Sequence, residues 1–255
     1  METNQNYHDE LAKKNIEKLR DLQAPLPSFC RMYFRGINDT ISSRTKIAYA
    51  YDLRLFFEYI IKFKKLQDKY TIPDLPMSIL DQIKREDIED YLEYLSLYKN
   101  TYEEEVMNDE RGKSRKLASL RSFYNFYFTN ELIDTNPAAL VKMPKLHEKE
   151  IIRLDPNEVA ILLDQVEDGT KLTDKQLQYH EKTKIRDVAI LTLLLGTGIR
   201  VSECVGLDIQ DVDFDNMGIK VRRKGGYEDI VYFGDEVYNA LENYIEHRKH
   251  IIPLS

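Results

Sequence analysis

Apolar residues recur at helical spacing through the first half of the chain. After Ser42 and Ser43, the residues Tyr49, Leu53, Phe56, Phe57 and Ile60 fall on one face, which predicts an amphipathic helix. The stretch 71–78, with Pro73 and Pro76, breaks the pattern, and Lys84 to Tyr98 resumes it with Ile88, Tyr91, Leu92 and Leu95. Residues 102–112 are polar and acidic and read as a loop. Ser114 is then a candidate cap for a further helix, with Leu117, Leu120, Tyr124 and Phe128 on one face. Asn136-Pro137 ends that region, and residues 141–150 read as an exposed linker.

The second half opens with Asp155 placed as an N-cap and Pro156 as the first helical residue, for a helix running to about Gly169. Residues 170–180 read as a polar loop, and Lys184 to Leu195 as a strongly apolar helix at the centre of a second core. Gly196-Thr197-Gly198 interrupts it, and a short turn resumes at Val201. From there the period changes to two. Val212 and Phe214 alternate with Asp211, Asp213 and Asp215, a turn follows at 216–218, and Ile219 and Val221 alternate again. A Gly225-Gly226 turn precedes Ile230 to Phe233. This predicts a three-stranded antiparallel meander, closed by a helix from about Asp235 that carries Val237, Leu241, Tyr244 and Ile245. The fold expected is mainly α with a small antiparallel β-meander. It divides into an N-terminal extension (1–22), a helical domain (23–131), a linker (132–150) and a mixed α+β domain (151–255).

Composition narrows the class. The chain has 255 residues, of which 32% are charged and 42% apolar, as in ordinary globular proteins. The apolar run from Val188 to Ile199 is too short for a membrane span, which needs about 20 residues, and the polar first residues lack a signal-peptide core. Cys30 and Cys204 support neither a disulfide framework nor a zinc site and read as packed thiols. A cytoplasmic setting without membrane contact is the expectation. The net charge of −7 argues against a nucleic-acid partner only until it is mapped, because acids and bases balance over residues 1–145 and the whole excess lies in 146–255. Basic clusters occur at 41–65, 111–121 and 220–224. Screening limits each charge to about 10 Å, so a local patch can bind phosphate on an acidic protein. There is no GxxxxGK[ST], GxGxxG, HExxH or CxxC pattern.

The stretch 196–214, GTGIRVSECVGLDIQDVDF, carries the chemistry. Arg200 follows a glycine-framed break, where a guanidinium beside free backbone N–H groups suits bidentate phosphate binding. Glu203, three residues on, can pair with it. Spacing alone favours a structural ion pair closing a helix corner. However, the segment resembles the first catalytic box of the tyrosine recombinase (phage integrase) family, T-G-[hydrophobic]-R-x-S-E. VRRKGGYEDIVYF (221–233) is similar to the family's β-hairpin, whose lysine matches Lys224. SSRTKIAYAYDLRLFFEYI (42–60) and SRKLASLRSFYNFYFTNELIDTNPA (114–138) resemble helices of its core-binding domain, and 72–95 and 222–231 resemble the Xer-like, XerS-type pattern. The likeness covers roughly residues 25 to 250.

The resemblance implies a helical core-binding domain plus the N-terminal part of an α+β catalytic domain, forming a C-shaped clamp on double-stranded DNA. The implied role is DNA recombination or integration by strand cleavage and rejoining through a 3′-phosphotyrosyl intermediate, with no metal, nucleotide or other small-molecule cofactor. Arg200 would contact the scissile phosphate, Glu203 would support Arg200, and Lys224 would protonate the leaving 5′-oxygen. Arg44, Lys46, Arg115 and Arg121 are candidate phosphate grips, each equally readable as a surface charge. None of His8, His147, His180, His247 and His250 has an arginine three residues later, and no tyrosine stands in the family's nucleophile context. The expectation is therefore a catalytic domain truncated at its C-terminus and inactive alone. The alternatives are a non-catalytic DNA-binding regulator and a partner of an intact recombinase. Self-association and an intact recombinase are the further candidate partners.

Overall fold

The computed structural model describes residues 7–100, 102–147, 150–223 and 225–249. It divides into two units, 1–149 and 150–255. In the first, α1 (Tyr7–Gln23) lies against α3 (Ser43–Phe63), with α2 (Cys30–Gly36) between them in sequence. Leu19 and Leu22 of α1 pack on the core, so the span read as an N-terminal extension supplies a packed helix. Ser42 caps α3 by accepting the Thr45 N–H at 3.3 Å. The helices α4 (Ile79–Gln82) and α5 (Arg85–Tyr94) follow. A two-residue ladder of β1 (Tyr98–Lys99) and β2 (Glu105–Val106) then occupies part of the expected loop.

The long helix α6 (Glu110–Thr129) begins four residues before Ser114. Its cap is Asp109, which accepts the Gly112 N–H at 2.9 Å. Ser114 lies buried inside the helix instead. The carboxylate is the stronger cap because it also meets the positive end of the helix dipole. The short helix α7 (Pro137–Leu140) carries Ala138 into the core, and Val141 is buried beside it. Residues 133–141, within the expected linker, therefore belong to the packing of the first unit.

That unit's core is built from aromatic rings. Tyr33, Phe56, Phe57, Tyr91, Phe123, Tyr124 and Tyr127 are fully buried. They meet edge to face, as in Tyr33–Phe123 at 5.1 Å and Phe123–Tyr127 at 4.9 Å between centroids. Two hydroxyls tie helices together, Tyr33 to Ser122 Oγ at 2.9 Å and Tyr127 to the Phe29 carbonyl at 2.7 Å.

The second unit begins with α8 (Pro156–Asp168). As its sequence predicts, Asp155 caps it, accepting the Asn157 and Glu158 N–H groups, and Pro156 opens it. The next helix, α9 (Asp174–Thr197), starts inside the expected polar loop. Gln176 reaches back to the Thr173 N–H at 2.9 Å, half of a capping box that uses only polar residues. Gly198 ends α9 with φ at 65°, in the left-handed region that glycine tolerates. A one-turn helix α10 (Val201–Cys204) and a 3₁₀ turn (Ile209–Asp211) lead into β3 (Val212–Asp213), β4 (Gly218–Arg222) and β5 (Glu228–Tyr232). These form the expected antiparallel meander in the order β3-β4-β5, with Ile219 opposite Val231 and Arg222 opposite Glu228. The helix α11 (Asp235–Arg248) packs back on α9. The second core is smaller and mostly aliphatic, made of Leu193, Ile199, Ile219, Val221, Val237 and Leu241 with the single buried ring of Phe233.

Candidate nucleic-acid interface

Arg200 stands at the corner between α9 and α10. Gly198 turns the chain, Ile199 is buried in the core, and Arg200 takes extended backbone angles at the start of α10. Its side chain is 67% exposed, while that of Glu203 is 3% exposed. The Glu203 carboxylate accepts the Arg200 backbone N–H on Oε2 at 2.9 Å and Arg200 Nη1 on Oε1 at 2.8 Å. The pairing expected from their spacing is therefore present. The expectation of free backbone N–H groups needs correcting for Arg200 itself, whose N–H is taken by Glu203.

A second cation completes the site. Arg223 Nη1 donates to Glu203 Oε2 at 3.0 Å, and Arg223 Nε donates to Asp229 Oδ2 at 3.2 Å. Burial by itself would push the Glu203 carboxyl up. The Arg200 N–H, the Arg200 guanidinium and the Arg223 charge outweigh burial and hold it below the usual glutamate range. A buried carboxylate thus fixes one long cationic side chain that faces outward, ready for an anion. Sequence reasoning saw Arg223 only as part of a basic cluster. It lies twenty residues from Glu203, and only the meander brings them together. Lys224, the next residue, lies outside the described residues, as does His250.

The candidate phosphate grips of the first unit divide by exposure. Arg44 is exposed in the first turn of α3. Lys46 is buried, and its Nζ donates to the Asn38 carbonyl at 3.3 Å and to Asn38 Oδ1 at 2.8 Å. Arg115 forms a fork with Asp52, at 2.5 and 2.7 Å, although about half of its side chain stays exposed. Burial pushes the Asp52 carboxyl up, and Arg115 and Lys116 offset this only in part. Arg121 donates to the carbonyls of Ala138 and Val141, tying α6 to α7. Lys113 and Lys116 of the same basic cluster donate to Ser96 Oγ and Asn108 Oδ1. Much of the charge along α6 therefore holds the first unit together.

The other candidate groups behave as packing residues. Burial raises both the Cys30 and the Cys204 thiols, which disfavours a thiolate. Tyr238 packs edge to face on Phe214 at 5.1 Å. Tyr227 is exposed in the hairpin turn, and His247 is half-buried.

Comparison with known proteins places these features. The model of the phage integrase family matches residues 153–253. The chain is 34% identical to the tyrosine recombinase XerC of Caldanaerobacter subterraneus subsp. tengcongensis over 211 residues, covering 81% of this chain and 54% of that protein. It is 30% identical to the tyrosine recombinase XerS of Streptococcus uberis over 257 residues, covering 92% of this chain and 71% of that protein. The chain thus spans little more than half the length of the first of these relatives. Two solved structures share the fold. One is the Tn1549 transposon integrase in complex with circular intermediate DNA, at a TM-score of 0.56 and 20% identity over 90% of this chain and 68% of that one. The other is the XerH site-specific recombinase bound to palindromic difH substrate, at a TM-score of 0.56 and 14% identity over 100% of this chain and 73% of that one. The match to the Streptococcus uberis protein runs along most of both chains, and this chain belongs to the tyrosine recombinase family.

Proposed function

We propose that this chain binds double-stranded DNA in site-specific recombination, and that Arg200 is its ligand for the scissile phosphate. The observation that carries this reading is the arginine corner, where a buried, ionised Glu203 holds Arg200 with both oxygens, Oε1 on the outward-facing guanidinium and Oε2 on the backbone N–H. Such a fork suits two oxygens of one phosphate and the charge that builds on phosphorus during transfer. In this scheme Glu203 orients Arg200, and Lys224 supplies the proton to the leaving 5′-oxygen. Arg44 and the exposed part of Arg115 grip the backbone outside the reacting phosphate. The helical first unit acts as the core-binding domain and the second as the phosphate-binding part of the catalytic domain. The reaction class needs no metal or nucleotide, since the phosphodiester energy is kept in a protein–DNA bond.

The sequence holds no His-x-x-Arg box and no tyrosine in the nucleophile context. A second reading is a DNA-binding regulator of a recombination site or a partner of an intact recombinase. A nicked suicide duplex tests both readings. Retarded mobility at low salt that Arg200→Ala weakens supports the phosphate assignment, and absence of any shift overturns it. A covalent protein–DNA adduct resistant to detergent overturns this second reading.

A further inference from the structure

The Glu203 carboxylate receives one more donor than the arginine box requires. Arg223 follows β4 directly and opens the hairpin turn. Its backbone is fixed on both sides: its N–H donates to the Tyr227 carbonyl at 2.9 Å, and its carbonyl accepts the Gly226 N–H at 3.0 Å. Its side chain is 22% exposed and divides its donors between Glu203 and Asp229, which belong to different elements. A planar fork meets the two carboxylates with different edges of one rigid group, a more fixed geometry than an ammonium on a flexible stem provides.

This arrangement affects Arg200. Glu203 sits at the end of a one-turn helix, and Arg200 alone would leave Oε2 held only by a backbone N–H. The Arg223 contact adds a side-chain donor on that oxygen and ties the carboxylate to the sheet. The plane of the carboxylate, and with it the direction in which Arg200 leaves the corner, is then set by the hairpin as well as by α10. We propose that Arg223 is a positioning residue for Arg200, acting through Glu203 and itself anchored by Asp229.

Positioning separates from direct contact by its dependence on Arg200. In the free protein, nitrogen-15 spectra of the Arg200 guanidinium should show restrained rotation. Arg223→Gln should average that signal, and Arg223→Lys, which keeps one charge-assisted contact, should restore it in part. The DNA arm rests on the phosphate reading above and uses a short fluorescein-labelled duplex. Arg200→Ala should weaken binding by about tenfold. Arg223→Gln should weaken it by roughly three- to tenfold in the native background and hardly at all when Arg200 is already alanine. Thermal melts confirm that each variant folds, and Arg223→Lys serves if the glutamine variant does not.

An unchanged Arg200 signal in Arg223→Gln overturns the proposal. An Arg223 effect of equal size in both backgrounds does so too, since Arg223 would then act on DNA or on the fold directly. If Arg200→Ala binds the duplex as the native protein does, the phosphate reading falls, and the spectra of the free protein still decide whether Arg223 orients Arg200.

Discussion

Two cationic side chains two residues apart on α3 show how little residue type says about role. Arg44 and Lys46 look interchangeable in the sequence, yet Arg44 is exposed and Lys46 is buried against Asn38. Replacing Arg44 with alanine should leave stability unchanged and reduce the salt dependence of DNA binding by about one counterion, read as the slope of log affinity against log salt. Replacing Lys46 with alanine removes its hydrogen bonds to Asn38, whose acceptors water can reach, and should cost about 0.5–1.5 kcal/mol in a denaturant melt, without a matching change in slope. The Arg200–Glu203 pair was legible because three-residue spacing forces both onto one face. Arg223 was not, because its partner depends on sheet register. Glu203 also carries a pH signature. Its carboxyl is held below its ordinary value of 4.5 in the folded protein, so its contribution to stability is complete above about that pH. It disappears as the pH falls through the lower folded value. Glu203→Gln should therefore destabilise the second unit at neutral pH by about 1–3 kcal/mol. The gap to the native protein should close on acidification, and a gap that stays constant down to acid unfolding would contradict this.

The cap of α8 and the strands of the meander were read correctly, while the starts of α6 and α9 were not. The meander was visible because its strands alternate and its turns are marked. The start of α6 was misplaced because Ser114 and Asp109 are both acceptable caps, and only the fold shows Ser114 buried in the helix. The first turns of α9 were missed because the Thr173–Gln176 cap precedes a stretch with almost no apolar pattern. The β4–β5 turn is the element on which the proposed phosphate site depends most. Gly225 and Gly226 have φ of 97° and 87°, a region that side chains avoid, although the space around Gly226 is open. Gly226→Ala is therefore strained by its backbone and should cost about 1–2 kcal/mol. Because the Gly226 N–H holds the Arg223 carbonyl, it should also weaken DNA binding. Gly234→Ser is the matched control. Gly234 has an extended backbone and open space at the N-cap of α11, so serine there should leave both melt and affinity unchanged or slightly improved. Equal losses in the two variants would show that the turn geometry is not what matters.

At the scale of the whole molecule, the two units differ in how well they cover their apolar surface. The first buries a continuous network of tyrosine and phenylalanine rings, with Leu53, Ile60, Leu80 and Ile88 wholly inside. The second leaves Leu195, Val201, Val205 and Ile209 between 43% and 66% exposed. Val201, Val205 and Ile209 line a cavity of about 270 Å³ between α9, α10 and α11, together with Leu194, Leu241 and Tyr244. Uncovered apolar surface of this kind contributes nothing to folding and attracts other apolar surfaces. The second unit also carries the entire net negative charge, and its self-repulsion falls as salt is added. The chain should accordingly unfold in two calorimetric steps. The second unit should melt first and bind an apolar dye before tyrosine absorbance reports loss of the first core. Added salt should raise the lower transition more than the upper one, and a phosphate-rich duplex should stabilise whichever unit it occupies. A single cooperative transition without dye binding would mean that the exposed faces are covered in solution, and that the stability of the two units is shared.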